Sequence, residues 1–154
     1  MQRIGSGAGR HLTALAILAG LLWPASARAQ DGSREVDLEL VLAVDISRSM
    51  DYDEQLIQRQ GYADAFRHPD VLEAIDSGVL GRIAVTYMEW SGPMLQRVVV
   101  PWMVVEGPES AEAFAAAIAA TPLIRWQGTS ISGSLAFSAG LLKNSGYSSP
   151  RQVI

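Results

Sequence analysis

Apolar positions from Leu38 to Val44 run almost unbroken, interrupted only by Glu39, and predict a strand covered on both faces. From Asp51 to Arg67 the pattern changes. Leu56, Ile57, Gln60, Ala63, Ala65 and Phe66 recur at roughly helical spacing, behind a first turn carrying Asp51, Asp53 and Glu54. His68-Pro69 ends that helix, because the residue before a proline is disfavoured in the α region. Val71 to Ile75 add a short helical turn, closed by Ser77-Gly78. Arg82 to Trp90 is β-branched and aromatic, Ser91-Gly92-Pro93 turns the chain, and Leu95 to Val105 runs back. So short a connection predicts an antiparallel hairpin. Pro101 makes the second strand an edge strand or breaks it near its middle.

Glu109 to Thr121 is Ala-rich, with Glu109 and Glu112 near its start and Pro122 at its end, and predicts a third helix. Ser130 to Asn144 predicts a fourth, with Leu135, Ala136, Ala139, Leu141 and Leu142 as its apolar positions and Gly146 and Pro150 beyond it. Arg151 to Ile154 opens a further strand. Long helices alternating with strands predict an α/β class: a Rossmann-like open sheet with helices on both faces.

The N-terminus reads differently. Arg3, Arg10 and His11 precede an apolar stretch from Leu12 to Trp23, too short to span a bilayer, and Ala27-Arg28-Ala29 offers a small-residue cleavage site. Residues 1–29 are read as a signal peptide, 30–35 as a flexible leader and 36–154 as one domain, periplasmic or secreted, with no stable membrane anchor after cleavage. Beyond residue 29 stand nine Lys and Arg against sixteen Asp and Glu, a net charge of −7. That balance repels phosphate backbones and argues against nucleic acid as a partner. With no cysteine, disulfides, thiolate zinc sites and thiol catalysis are excluded.

Two hydroxyl-rich stretches carry the chemistry. Asp45-Ile46-Ser47-Arg48-Ser49, read as D-x-S-x-S, follows the first strand and precedes the first helix, where open α/β sheets place ligands. Its oxygens are hard donors suited to magnesium or calcium. Gly128-Thr129-Ser130-Ile131-Ser132-Gly133 occupies another loop-to-helix junction. A blander reading makes both stretches helix caps. His68, the only histidine beyond residue 29, is read as capping or exposed, since no activated serine accompanies it. Trp90, Trp102 and Trp126 are read as core or rim packing, and Glu89 as a polar residue near the sheet's upper edge.

Asp45, Ser47 and Ser49 together with Thr129 resemble the first two loops of the metal-ion-dependent adhesion site of von Willebrand factor type A domains. The lead-in Val36 to Val44 and the strand Gly81 to Trp90 resemble a bacterial branch of exported proteins, the domain-of-unknown-function family 1194. The resemblance covers residues 36–154 and implies a von Willebrand type A-like fold. It implies that Ser47, Ser49 and Thr129 bind magnesium, with calcium or manganese as alternatives, through their hydroxyls or through water. Asp45 would hold coordinated waters. It further implies a protein partner offering an acidic side chain, and no catalysis. The family's remaining aspartate and strands would follow Ile154, so the chain is expected to be C-terminally incomplete, lacking those strands.

Two other functional classes remain open at this level. One is a magnesium-dependent phosphohydrolase with Asp45 as nucleophile and Arg48 as the local cation. The other is a structural fragment without metal, in which both loops only cap helices.

Overall fold

In a computed structural model, residues 33–154 are described; the expected signal peptide, residues 1–29, lies outside them. The first element is a two-residue strand, β1 (Arg34–Glu35), followed by β2 (Leu38–Asp45). Helices α1 (Tyr52–Arg67) and α2 (Pro69–Asp76) lead to the hairpin of β3 (Ile83–Trp90) and β4 (Gln96–Val105). Helices α3 (Pro108–Ala120) and α4 (Ile131–Lys143) then precede two short strands, β5 (Tyr147–Ser148) and β6 (Gln152–Val153). The main sheet has the order β4-β3-β2-β6, with β2 parallel to both its neighbours and β3 antiparallel to β4. This is a mixed, open, Rossmann-like α/β sheet. The leader expected over residues 30–35 ends in β1, which pairs in parallel with β5.

Helix boundaries follow local chemistry. Asp51 is the N-cap of α1: its carboxylate accepts from the Glu54 amide, and Glu54 accepts from the Asp51 amide, each at 2.8 Å. His68 closes α1 and caps α2, accepting at Nδ1 from the Asp70 amide at 3.3 Å, and Pro69 takes the first helical position. Its ring is 59% exposed, in keeping with both sequence expectations. Pro101 falls in the edge strand, the first of the two options; β4 is not broken there but runs on from Gln96 to Val105 with a bulge opposite Thr86, between Val85 and Tyr87 of its partner. Thr86 bridges the bulge by donating its hydroxyl to the Val100 carbonyl at 2.8 Å.

The main core lies between the sheet and α1, α2 and α3, with Phe66 and Phe114 edge to face at 4.6 Å. Outside it, Arg67 of α1 grips Glu112 of α3 through two hydrogen bonds of 2.7 and 2.8 Å. A second cluster of Val41, Met88 and Trp90 packs under α4 on the opposite face, against Phe137, Leu141 and Leu142. Helices thus flank both faces.

The inward faces of α1 and α4 differ from the sequence expectation. In α1 the buried residues are Gln55, Arg59, Ala63 and Phe66, whereas Leu56 and Ile57 are exposed. The helix turns this way because two polar side chains have buried partners: Gln55 donates to the Ile46 carbonyl at 3.2 Å, and Arg59 reaches the carboxylate of Glu89. In α4, Ser134 and Ser138 are buried and Leu135 is exposed. Small residues one turn apart let α4 approach the sheet, where the Ser138 hydroxyl meets Met88 Sδ at 3.3 Å.

At the opposite end of the sheet, Asp37 anchors the connection into β3. Its carboxylate accepts from the amides of Leu80 (2.9 and 3.0 Å) and Arg82 (3.2 Å). Desolvation pushes this carboxyl up, but the surrounding backbone amides outweigh it and hold the group below its ordinary value. A depressed folded-state value means that the stabilisation is present above the unfolded-state value of about 4 and fades as pH falls through the folded one. Asp37→Asn should therefore lower the urea midpoint near neutral pH, with the gap to wild type closing below about pH 4. A gap independent of pH would contradict this account.

Candidate metal-binding loops

Asp45 ends β2 opposite Trp90 of β3, and α1 and α4 pack on opposite faces of the sheet beside it. Since β2 also separates β3 from β6, Asp45 stands at the point where the chain's direction of winding reverses. Such switch points at the carboxyl ends of strands are where open sheets leave a crevice.

The loop after Asp45 folds onto itself. The Ser47 amide donates to Asp45 Oδ1 at 2.7 Å, closing an Asx-type turn, and the hydroxyls of Ser47 and Ser49 lie 2.9 Å apart. Ser47 is buried and Ser49 exposed. None of the three caps α1, whose cap is Asp51. The 2.9 Å separation of the hydroxyls fits two neighbouring ligands of one magnesium ion, since octahedral bonds of about 2.1 Å set adjacent oxygens about 3 Å apart. The donors are hard oxygens with one carboxylate among them, and they suit magnesium, calcium or manganese on that chemistry. Among the described residues no group of three or more His, Asp or Glu side chains offers a carboxylate-rich alternative.

The second loop, residues 121–130, lies directly beside the first. Trp126 bridges Ser47 in parallel fashion: its amide donates to the Ile46 carbonyl at 3.3 Å, and its carbonyl accepts from the Arg48 amide at 3.1 Å. Thr129 follows three residues later and is exposed. The cap of α4 is its neighbour Ser130, whose hydroxyl accepts from the Gly133 amide at 3.2 Å. Hydrogen bonds therefore join Asp45, Ser47 and Ser49 directly. Thr129 shares their edge of the sheet through the backbone of its loop.

Residues that the sequence reading did not single out hold the loops in place. Ser91, fully buried after β3, donates its hydroxyl to the Gly128 carbonyl at 2.6 Å, and its carbonyl accepts from the Ser130 amide at 2.9 Å. Gly92 and Gly128 approach so closely that a Cβ on Gly92 would stand 2.8 Å from the Gln127 carbonyl oxygen. Gly128 takes a φ of +85°, which glycine adopts without strain. Beneath both loops, the Arg59 guanidinium donates to the Thr121 carbonyl and to Glu89. Glu89 also accepts from Arg97 of β4 at 2.7 and 3.1 Å. Burial pushes the neighbouring Tyr87 phenol well above its ordinary value, and the negative charge of Glu89 adds to the shift. The one sequence signal for this network was Glu89, an acid in an otherwise apolar strand. Arg59 is recognisable only once its position one turn after Gln55 and one before Ala63 is known to face inward.

A family model described as Protein of unknown function (DUF1194) matches residues 35–154. No curated protein and no solved structure matches the chain.

Proposed function

The chain belongs to the family of proteins of unknown function DUF1194, and we propose that it is an exported, non-enzymatic protein-binding domain of the von Willebrand type A class. The observation that carries this reading is the division of labour at the two loops. Asp51 and Ser130 cap the helices, which leaves Asp45, Ser47, Ser49 and Thr129 without a capping role beside the sheet's topological switch point. The 2.9 Å approach of the Ser47 and Ser49 hydroxyls would otherwise be only a local hydrogen bond.

In this reading Ser47, Ser49 and Thr129 hold a divalent cation, preferably magnesium, through their hydroxyls or intervening waters. Asp45 supplies the negative charge and orients coordinated water. The bound ion supplies one open coordination position for a carboxylate of a partner protein. A single carboxylate with three neutral hydroxyls makes a weak site, with a dissociation constant on the order of 0.1–1 mM. Export rests on the sequence of residues 1–29; among the described residues, no helix is long and apolar enough to cross a membrane.

Isothermal titration of the full chain with magnesium chloride tests the reading. Saturable heat is expected from the wild type, and affinity weaker by about tenfold or more from Asp45→Ala. Titrations that do not differ between the two proteins would sink the idea. A melting temperature unaffected by magnesium up to tens of millimolar would point the same way, because a ligand that binds only the folded chain must stabilise it.

A further inference from the structure

Two arginines border the paired loops. Arg48 is the central residue of the D-x-S-x-S turn and is exposed. Arg125, also exposed, rests its Nη2 on the backbone carbonyls of Arg48, at 3.3 Å, and of Met50. Arg34, Arg59, Arg67 and Arg97 all sit in ion pairs. Among the described residues, Arg48 and Arg125 meet no carboxylate within ion-pair distance. Asp45, Asp51, Asp53 and Glu54 lie within six residues of Arg48, with Asp51 and Glu54 turned to the backbone amides of the α1 capping box, so what sets the two arginines apart is that neither guanidinium is paired. Trp126, 53% exposed, adjoins Arg125 in sequence and Ser47 in space, and adds a flat apolar surface beside the two cations.

Resting on the metal-dependent reading above, we propose that the partner offers an acidic segment rather than a lone acid. One carboxylate meets the Asp45, Ser47, Ser49 and Thr129 edge. A second is taken by Arg48 and Arg125, while the aliphatic stem between them lies on Trp126. The guanidinium fork matches a carboxylate in shape and charge, so both contacts select the same residue types. The two unpaired guanidinium groups fix where the second carboxylate lands.

The test titrates the full chain, in magnesium, with two capped tripeptides: Glu-Glu-Glu and Gln-Glu-Gln. Counting of equivalent carboxylates alone favours the first by about threefold, and the second contact should raise the preference to about tenfold or more. The ratio should fall back to about threefold in Arg48→Gln and in half-molar salt, and should largely survive in Arg48→Lys. A magnesium titration of each variant accompanies the peptides. Magnesium heat with a wild-type ratio of about threefold overturns the acidic-segment inference and leaves the metal reading standing. A tenfold ratio that persists in Arg48→Gln with Arg125→Gln, or in EDTA, overturns the two-point contact. Absence of magnesium heat in the wild type overturns the metal reading, and this inference with it.

Discussion

Replacing Glu89 by Gln is expected to cost about 3–5 kcal/mol of folding stability, a large fraction of the roughly 5–15 kcal/mol that a domain has available. Glu89 is buried on β3, with 1% of its side chain exposed, and its carboxylate is shared by Arg59 (4% exposed) and Arg97 (32% exposed). Gln keeps the shape and removes the charge, so the Arg59 guanidinium would stay buried against a neutral amide. Its Nε already lacks a partner, which leaves little capacity to re-pair. Arg97→Gln should cost far less, about 1 kcal/mol or under, because water reaches that guanidinium and screens the pair. Arg59→Met alone should cost nearly as much as Glu89→Gln. Combining Arg59→Met with Glu89→Leu should recover part of the loss, since neither charge then remains buried. Urea unfolding of the four variants measures all of this. A Glu89→Gln protein within 1 kcal/mol of wild type would mean that the network is incidental.

The same network shows where the sequence was readable and where it was not. Strands β2, β3, β4 and β6, the hairpin and all four helices follow from apolar spacing and from Pro, Gly and acidic punctuation, because those signals act within a few residues. Asp51 illustrates the limit. A carboxylate before a helix announces a cap, yet D-x-S-x-S a few residues earlier offers three more candidates, and only the geometry assigns the cap to Asp51. The inward face of α1 misled for a different reason. Leu56 and Ile57 are more apolar than Gln55 and Arg59, but Gln55 has a carbonyl partner in the preceding loop, and Arg59 has carboxylate and carbonyl partners on β3 and at the second loop, thirty residues or more along the chain. Long-range polar pairing of this kind leaves no periodic trace. The β1–β5 pair, two residues on each side, is too short to register as a pattern at all.

For the candidate site the division is similar. The motif residues and their strand-end setting were visible, since both are local. The Ser91 hub, the Gly92–Gly128 approach and the Trp126 bridge were not, because each joins segments more than thirty residues apart. These contacts make the second loop's position depend on the hairpin turn. A cation held jointly by Ser47, Ser49 and Thr129 would therefore depend on residues that never touch it.

Gly92→Ala exposes that dependence most sharply. The new Cβ would stand 2.8 Å from the Gln127 carbonyl oxygen and 3.6 Å from Gly128 Cα, and both are backbone atoms that cannot rotate aside. The 127–130 segment must therefore move outward. That strains the Ser91 Oγ to Gly128 hydrogen bond of 2.6 Å and the Ser130 amide to Ser91 bond of 2.9 Å. A loss of about 1–3 kcal/mol in stability is expected from the overpacking alone. Thr129 sits between those two bonds, so magnesium affinity should weaken by about tenfold or more, as for a disturbed outer shell. Gly61→Ala is the matched control: a Cβ there meets nothing within 4 Å, inside α1. It should raise stability by about 0.5–1 kcal/mol through helix propensity and leave magnesium binding alone. Urea unfolding without magnesium reads the first effect and calorimetric titration reads the second. If Gly92→Ala lost stability yet bound magnesium like the wild type, Thr129 would not belong to the site, and Asp45, Ser47 and Ser49 would have to hold the ion by themselves.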